Sequence, residues 1–167
     1  TNADWTAKYI GIYRANLVIE NVGSMTDDQI DPDLKSQLIA EAYFLRAHYY
    51  FELVTTYGGV PKVDKLLLPS EYNTARSSAD EIWSLIESDL TEAALQLPAK
   101  SGYNSSETGR ATKGAALALL TKAHVYQGEW LEAQTNAELV VTSGEYSLSE
   151  DYRDIFVKSG ENGPGSI

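Results

Sequence analysis

The sequence of 167 residues contains no cysteine. This absence excludes disulfides, thiolate nucleophiles and zinc or iron–sulfur sites held by cysteine. A long hydrophobic run is also missing, because no apolar stretch approaches the roughly 20 residues that a membrane-spanning helix requires. We therefore expect a chain that folds without covalent cross-links and that does not itself cross a membrane.

Positive charge is scarce in this sequence. Lysine and arginine total 13 residues against 24 aspartates and glutamates, which gives a formal net charge of −11. The summed field of such a protein repels phosphate backbones and anionic lipid headgroups. Nucleic acid is therefore not expected as a partner.

The common signatures of catalysis are absent as well. The sequence has no GxSxG nucleophile elbow, no GxxxxGK[ST] phosphate loop and no GxGxxG turn. His48 and His124 lie in different predicted helices, and although His48 and Glu52 at i, i+4 could chelate a metal weakly, both belong to a polar surface. The carboxylates scatter over polar faces without a recognisable acid–base pair. We predict no enzymatic activity, no metal site and no cofactor.

Turn and cap signals divide the chain into five helical segments without a convincing strand pattern, which predicts an all-α fold. Asp31 before Pro32 and the pair Ser78 and Glu81 are typical of helix starts, while glycines or Pro98 follow the helix ends. The predicted helices run from about Asp4 to Val22, Asp31 to Tyr57, Ser78 to Leu97, Thr112 to Gln127 and Glu129 to Ser143.

The second predicted helix is unusually rich in aromatic residues, with six rings between positions 40 and 62. At 100 degrees per residue its polar side chains form one narrow stripe, and the rest of its surface is apolar. The rings either pack inside a helical body or grip a ligand. Because an apolar helix of this kind needs neighbours on several sides, we favour packing. This interpretation applies to Phe44, Tyr49, Tyr50 and Phe51.

Arg46 points away from the polar stripe of that helix. A buried guanidinium cannot lose its proton, so it needs a carboxylate or backbone carbonyls as partners. Asp89 lies on the packing face of the third helix, beside Ile82 and Ile86. We predict an ion pair between Arg46 and Asp89; the alternative is that Arg46 extends along its helix to water.

The last two predicted helices have the pattern of a tetratricopeptide-type hairpin. Trp130 is expected to pack as a wedge between the two helices, next to the turn at Gly128. Such a hairpin cannot bury its apolar face alone, so we expect it to stack on the preceding helices. The positions that carry the pattern are Leu120, Ala123, Gly128, Trp130, Ala133 and Val140.

Two polar loops each place an aromatic ring beside an amide. Tyr72 and Asn73 lie between the second and third helices, and Tyr103 and Asn104 lie between the third and fourth. A ring face with neighbouring amides can stack on a sugar and bond its hydroxyls, which makes these four residues candidate ligand contacts. The alternative is that each tyrosine lies against the helix beneath it.

Four blocks of the chain resemble SusD/RagB-type nutrient-binding proteins and occur in that family's order. The blocks are AEAYFLRAHYYFELVTTYGGVPK, SSADEIWSLIESDLTEAALQLP, GRATKGAALALLTKAHVYQGEWLEAQTNAELVVTSGEYSL and DYRDIFVKSGENGPGSI. The first block and the GRATKGAA stretch are specific to the family, whereas a tetratricopeptide-like hairpin alone would be a weak signal. The matching residues Arg46, Gly58, Gly59, Pro61, Asp89 and Arg110 are interpreted as structural.

The resemblance implies a function that composition alone does not show. Members of this family are lipid-anchored on the outer face of the outer membrane and cover a SusC-type TonB-dependent transporter. They bind glycans, or in some cases peptides, and pass them on without altering a covalent bond. The resemblance therefore implies a SusC-like transporter and an oligosaccharide or peptide as partners, and an extracellular location on the outer membrane.

Family members are considerably longer than this chain. We therefore expect residues 1–167 to form a single SusD-like helical domain, as a fragment without the N-terminal lipidation cysteine and the C-terminal portion. The alternative function is a tetratricopeptide-like scaffold that binds only protein. A scaffold should offer a broad apolar groove across helices, whereas a glycan-binding protein should offer a concave pocket lined by rings.

Overall fold

The computed structural model describes residues 2–160 and 162–167; Glu161, in the predicted C-terminal loop, lies outside the described residues. Five α-helices are joined by loops and short 3₁₀ turns, and the described residues form no strand, so the predicted all-α fold is confirmed. The helices are α1 (Asn2–Gly23), α2 (Pro32–Tyr57), α3 (Ala79–Gln96), α4 (Lys113–Gln127) and α5 (Trp130–Thr142).

Local capping chemistry sets the helix boundaries close to their predicted positions. Asp31 accepts hydrogen bonds from the backbone N–H groups of Asp33 and Leu34, each at 3.0 Å, and so begins α2. At the start of α3, Ser78 Oγ accepts from the Glu81 N–H at 3.2 Å, and Glu81 Oε2 accepts from the Ser78 N–H at 2.8 Å. This reciprocal pair is the predicted capping box.

The chain divides into two compact units, Thr1–Leu97 and Pro98–Ile167. In the first unit, α2 packs against α1 and against α3. Tyr50 and Phe51 on α2 are buried, as predicted, while Phe44 and Tyr49 are half-buried. The largest fully buried apolar side chains of this unit are Tyr50, Ile12, Leu53, Ile82, Ile86, Leu90 and Val60. The aromatic helix is therefore mainly a packing element.

The second unit is built on a hairpin in which α4 packs against α5. Gly128 ends α4 in the left-handed conformation, at φ 77°, and its N–H bonds back to the carbonyls of His124 and Val125. Glu129 also bonds His124 side chain to side chain, at 2.6 Å. Trp130 is 68% exposed, so the prediction that its indole packs as a wedge between the two helices is wrong. The turn between α4 and α5 is closed by these hydrogen bonds.

None of the helices that the structure describes is both long enough and apolar enough to span a membrane. The stacking of the hairpin on the preceding helices and the single-domain organisation stay predictions.

Candidate ligand-binding site

A buried polar network lies at the centre of the first unit. Arg46 and Asp89 are only 5% and 3% exposed. Arg46 Nε donates to Asp89 Oδ2 and Nη2 donates to Oδ1, each at 2.7 Å. Arg46 therefore meets the partner predicted from the sequence instead of extending to water. Burial raises the pKa of Asp89, and the two hydrogen bonds from Arg46 oppose that shift.

Asn16 extends this network from α1 to the loop that follows α2. Its Oδ1 accepts from Arg46 Nη1 at 2.7 Å, and its Nδ2 donates to the carbonyls of Val63 and Lys65 at 3.0 and 3.1 Å. Arg46 Nη1 also donates to the Asp64 carbonyl, at 2.8 Å. The buried charge thus connects all three helices of the unit and positions residues 63–65.

Two tyrosine hydroxyls hold the same loop. Tyr9 donates to the Pro61 carbonyl at 2.7 Å, and the Val63 N–H donates to the Tyr50 hydroxyl at 2.6 Å. Burial raises the pKa of Tyr50 to about 12 and raises that of Tyr9 still further. Both hydroxyls therefore keep their protons at neutral pH.

The ends of the loop are joined near Gly59. Arg76 donates from Nε to the Gly59 carbonyl at 2.6 Å and from Nη2 to the Tyr57 carbonyl at 2.7 Å. A Cβ at Gly59 would lie 2.1 Å from the carbonyl oxygen of Ser77, a distance that only glycine permits. The loop is therefore closed by contacts between its two backbone ends.

A cleft of about 490 Å³ lies between α1 and this loop, and we call it the aromatic cleft. Trp5, Tyr9 and Tyr13 line it from α1, and Tyr72 lines it from the loop. Trp5 and Tyr9 are half-buried, while Tyr13 and Tyr72 are 55% and 68% exposed. The other lining residues are Pro61, Val63, Lys65, Leu66, Leu67 and Thr74.

The charge at the aromatic cleft is balanced. Lys65 Nζ lies 2.5 Å from Glu71 Oε1, and Glu71 Oε2 accepts from the Leu68 N–H at 2.8 Å. The hydrogen bond from Lys65 lowers the pKa of Glu71, so this carboxylate is ionised at neutral pH. A molecule in the cleft would meet ring faces, aliphatic groups and hydroxyls around one neutralised ammonium.

The four predicted contact residues have different surroundings in the structure. Tyr72 lines the aromatic cleft, and its neighbour Asn73 is exposed to solvent. In the second unit, the Tyr103 hydroxyl donates to the Ala111 carbonyl at 2.7 Å. Asn104 Oδ1 accepts from the Ser106 N–H at 3.0 Å, and its Nδ2 donates to Glu107 at 2.5 Å. The side chains of Tyr103 and Asn104 therefore form hydrogen bonds within their own loop.

Sequence reasoning missed the contribution of α1 to the cleft. Trp5, Tyr9 and Tyr13 all fall within the first predicted helix, but none of them is among the predicted ligand contacts. The signal was present in the spacing, because Trp5, Tyr9 and Tyr13 are four residues apart and so occupy neighbouring turns on one side of a helix.

Comparison with known proteins identifies the family of this chain. Residues 1–126 match the SusD-like family model, which is described as starch-binding and associating with the outer membrane. The chain belongs to the SusD-like family. The resemblance seen in the four sequence blocks is thereby confirmed.

Individual SusD-like relatives match nearly the whole chain. A SusD-like protein of Formosa agariphila is 34% identical, over 96% of this chain and 31% of the relative. A SusD-like protein from Bacteroides fragilis is 35% identical with a TM-score of 0.88, over 98% of this chain and 32% of that structure. A laminarin-binding SusD-like protein is 30% identical with a TM-score of 0.86, over 93% and 34%. The chain spans about a third of the length of the relatives it matches.

Proposed function

We propose that this SusD-like chain belongs to a cell-surface glycan-binding protein of the outer membrane. It captures oligosaccharides and delivers them to a SusC-like TonB-dependent transporter, with no change to a covalent bond. Attachment to the membrane is through a lipid anchor. The family match and the laminarin-binding relative support this proposal.

The aromatic cleft is the observation that carries the proposal. Pyranose rings have flat faces of C–H groups that stack on aromatic rings, and their hydroxyls bond to nearby polar groups. The cleft offers four rings together with the hydroxyls of Tyr13, Tyr72 and Thr74. Its volume lies within the range of small-molecule binding sites.

A different groove favours the alternative function, a scaffold that binds protein. It lies between α1 and α2, has a volume of about 390 Å³ and is lined largely by apolar side chains, among them Ile10, Leu38 and Leu45. Ile10 and Leu45 are also among the exposed large apolar residues of the chain. Helical segments of other proteins bind in apolar grooves of this kind.

The experiment that tests glycan capture is calorimetric titration of the full chain with laminari- and malto-oligosaccharides. We expect binding by the wild type and a several-fold loss of affinity for Y72A, because this substitution removes one ring from the cleft. Y152A is the matched control, since Tyr152 is also exposed but lies in the second unit. Both variants should melt as the wild type does.

Two outcomes would contradict the proposal. If neither series binds and an amphipathic helical peptide does, the scaffold function is favoured.

Delivery to a transporter has a separate test, in which the protein is purified from native outer membranes under mild conditions. We expect a TonB-dependent transporter to co-purify, and isolation free of any such transporter would count against delivery.

A further inference from the structure

The groove between α1 and α2 is lined in the same pattern by both of its helices, and we call it the α1–α2 groove. The lining positions of each helix follow the spacing i, i+3, i+4 and i+7, which forms one continuous stripe along a helix. Two such stripes beside one groove are the surface that a helical bundle presents to a further helix. The lining residues are Ala7, Ile10, Gly11, Arg14, Ala15 and Val18 from α1 and Leu38, Glu41, Ala42, Leu45 and Tyr49 from α2.

The α1–α2 groove also has a length and a floor that suit a helix. Since an α-helix rises 1.5 Å per residue, the stripe on α1 spans about 16 Å, or roughly three helical turns. Ala15 and Ala42 are buried small residues. Gly11 lies under the ring of Tyr49, because a Cβ at this glycine would be 2.2 Å from a ring carbon. Small residues at the floor allow the axis of a third helix to approach closely.

The edges of the groove leave apolar surface in water. Ile10 on α1 and Leu45 on α2 are 46% and 44% exposed, and both line the groove. Leu38 is half-buried. A helix that packs against these side chains removes their exposed surface from water, which favours association.

Arg14 gives the α1–α2 groove a specific charge. This side chain is exposed, and it forms no hydrogen bond or ion pair with any other residue that the structure describes. Glu41, the other charged residue of the lining, accepts a hydrogen bond from Gln37 at 3.2 Å. A guanidinium beside apolar side chains is complementary to a carboxylate that is itself surrounded by apolar side chains.

We propose that the α1–α2 groove binds an amphipathic α-helix of a partner protein, which carries an aspartate or glutamate within its apolar face and pairs it with Arg14. The stripes of the two helices fit a helix, and the guanidinium fits the carboxylate. The α1 residues of this groove lie about half a turn around the helix axis from Trp5, Tyr9 and Tyr13 of the aromatic cleft. The inference is therefore independent of glycan binding, and both ligands can bind at once.

The test is a fluorescence anisotropy titration of the full chain with three labelled peptides, each long enough to form an isolated helix at about 16 residues. The first peptide is an amphipathic helix with one glutamate in the middle of its apolar face, the second has lysine at that position, and the third is a scrambled sequence. We expect the wild type to bind the glutamate peptide about tenfold more tightly than the lysine peptide, and the scrambled peptide not to bind. R14E should reverse this order, because it replaces the guanidinium with a carboxylate.

A second variant tests whether the peptide binds in the α1–α2 groove. L45D places a charge on the apolar edge and should weaken binding of the glutamate peptide at least about tenfold. It should leave oligosaccharide affinity unchanged. L131D is the matched control, since Leu131 is an exposed apolar residue of the second unit, and it should bind the peptide as the wild type does. Melting curves that match the wild type show that the variants are folded.

Four outcomes decide the inference. Equal affinity for the glutamate and lysine peptides, or an order that R14E leaves unchanged, would overturn it. Peptide binding that L45D does not weaken would also overturn it, because the peptide then binds elsewhere. A wild-type dimer in sedimentation velocity that L45D dissociates would assign the groove to a second copy of this chain instead. If no oligosaccharide binds while the glutamate peptide behaves as expected, the proposed glycan function fails and this inference stands.

Discussion

Arg46 and Asp89 meet through two parallel hydrogen bonds, from Nε to Oδ2 and from Nη2 to Oδ1, both 2.7 Å long. This pair joins α2 to α3, and Asn16 joins it to α1 and to the loop beside the aromatic cleft. The position of the candidate site therefore depends on a buried charge that is not part of its lining.

Removal of the Asp89 carboxylate should destabilise the first unit strongly. D89A leaves the Arg46 guanidinium buried without its counter-ion, and we expect a loss of about 3–5 kcal/mol in unfolding free energy. Urea unfolding followed by circular dichroism measures this loss. The control is D4N, which breaks an exposed i, i+4 pair with Lys8 and should cost at most about 0.5 kcal/mol. Equal effects of D89A and D4N would show that the buried pair contributes little.

Asn16 should affect ligand affinity although it does not line the cleft. N16A removes the bonds to the carbonyls of Val63 and Lys65, so the loop that carries Tyr72 loses part of its attachment to α1, while the bond from Tyr9 to the Pro61 carbonyl remains. We expect weaker oligosaccharide binding in calorimetry together with a stability loss of about 1–3 kcal/mol. N21A is the control, because Asn21 is exposed and its side-chain amide donates to the Leu17 carbonyl of the same helix. If N16A binds oligosaccharides with wild-type affinity, the buried polar network does not contribute to ligand binding in the cleft.

Gly59 should tolerate no side chain. A Cβ at this position would lie 2.1 Å from the Ser77 carbonyl oxygen, and the backbone at that point is held by Arg76. We expect G59A to lower the free energy of unfolding by at least about 2 kcal/mol. G23A is the matched control, since a Cβ at Gly23 meets no atom within 4 Å and should be neutral or slightly stabilising. Similar melting temperatures for the two variants would contradict the close contact.

The capping box of α3 should make stability depend on pH. Hydrogen bonds from the Ser78 N–H and Oγ–H lower the pKa of Glu81 below its ordinary value of 4.5. Because the folded state holds this proton less tightly than the unfolded chain, the contribution is complete above pH 4.5 and is lost as the pH falls through the folded pKa. In urea titrations from pH 7 to pH 3, E81Q should lose less stability than the wild type. Parallel curves would show that the carboxylate does not act in this way.

The second loop offers a test of the contacts predicted at Tyr103 and Asn104. If these residues bind sugar, Y103A/N104A should weaken oligosaccharide binding in calorimetry. It should also lower the melting temperature slightly, because Asn104 caps its own loop and Tyr103 bonds the Ala111 carbonyl. Y103F keeps the ring and removes that bond, so it should retain affinity. Unchanged binding in both variants would assign the two residues a purely structural role.

Much of the fold could be predicted because the signals are local. Asp31, Ser78 and Glu81 form hydrogen bonds with backbone groups no more than three residues away. The helix starts that they cap can therefore be predicted from short stretches of sequence. The pairing of Arg46 with Asp89 is a longer-range inference that was still accessible, because helical periodicity placed both residues on packing faces and a buried arginine requires a carboxylate.

The candidate site could be predicted only in part. Tyr72 was found because a ring in a polar loop needs an explanation. Trp5 and Tyr9 were not among the predicted ligand contacts, because helical periodicity does not show which part of a half-buried ring stays accessible. The predicted packing of Trp130 was also wrong, since this ring at the start of α5 is exposed beside a turn that is closed by hydrogen bonds.

The sequence by itself determined the all-α class, the helix boundaries and the family, because each depends on residues that are close along the chain or on a recognisable order of blocks. Only the tertiary structure decided where the aromatic cleft lies. Its walls are joined by bonds such as Tyr9 to Pro61 and Asn16 to Val63, which connect residues 52 and 47 positions apart. No local pattern specifies contacts over such separations, since they form only when the packing of the helices brings α1 beside the loop.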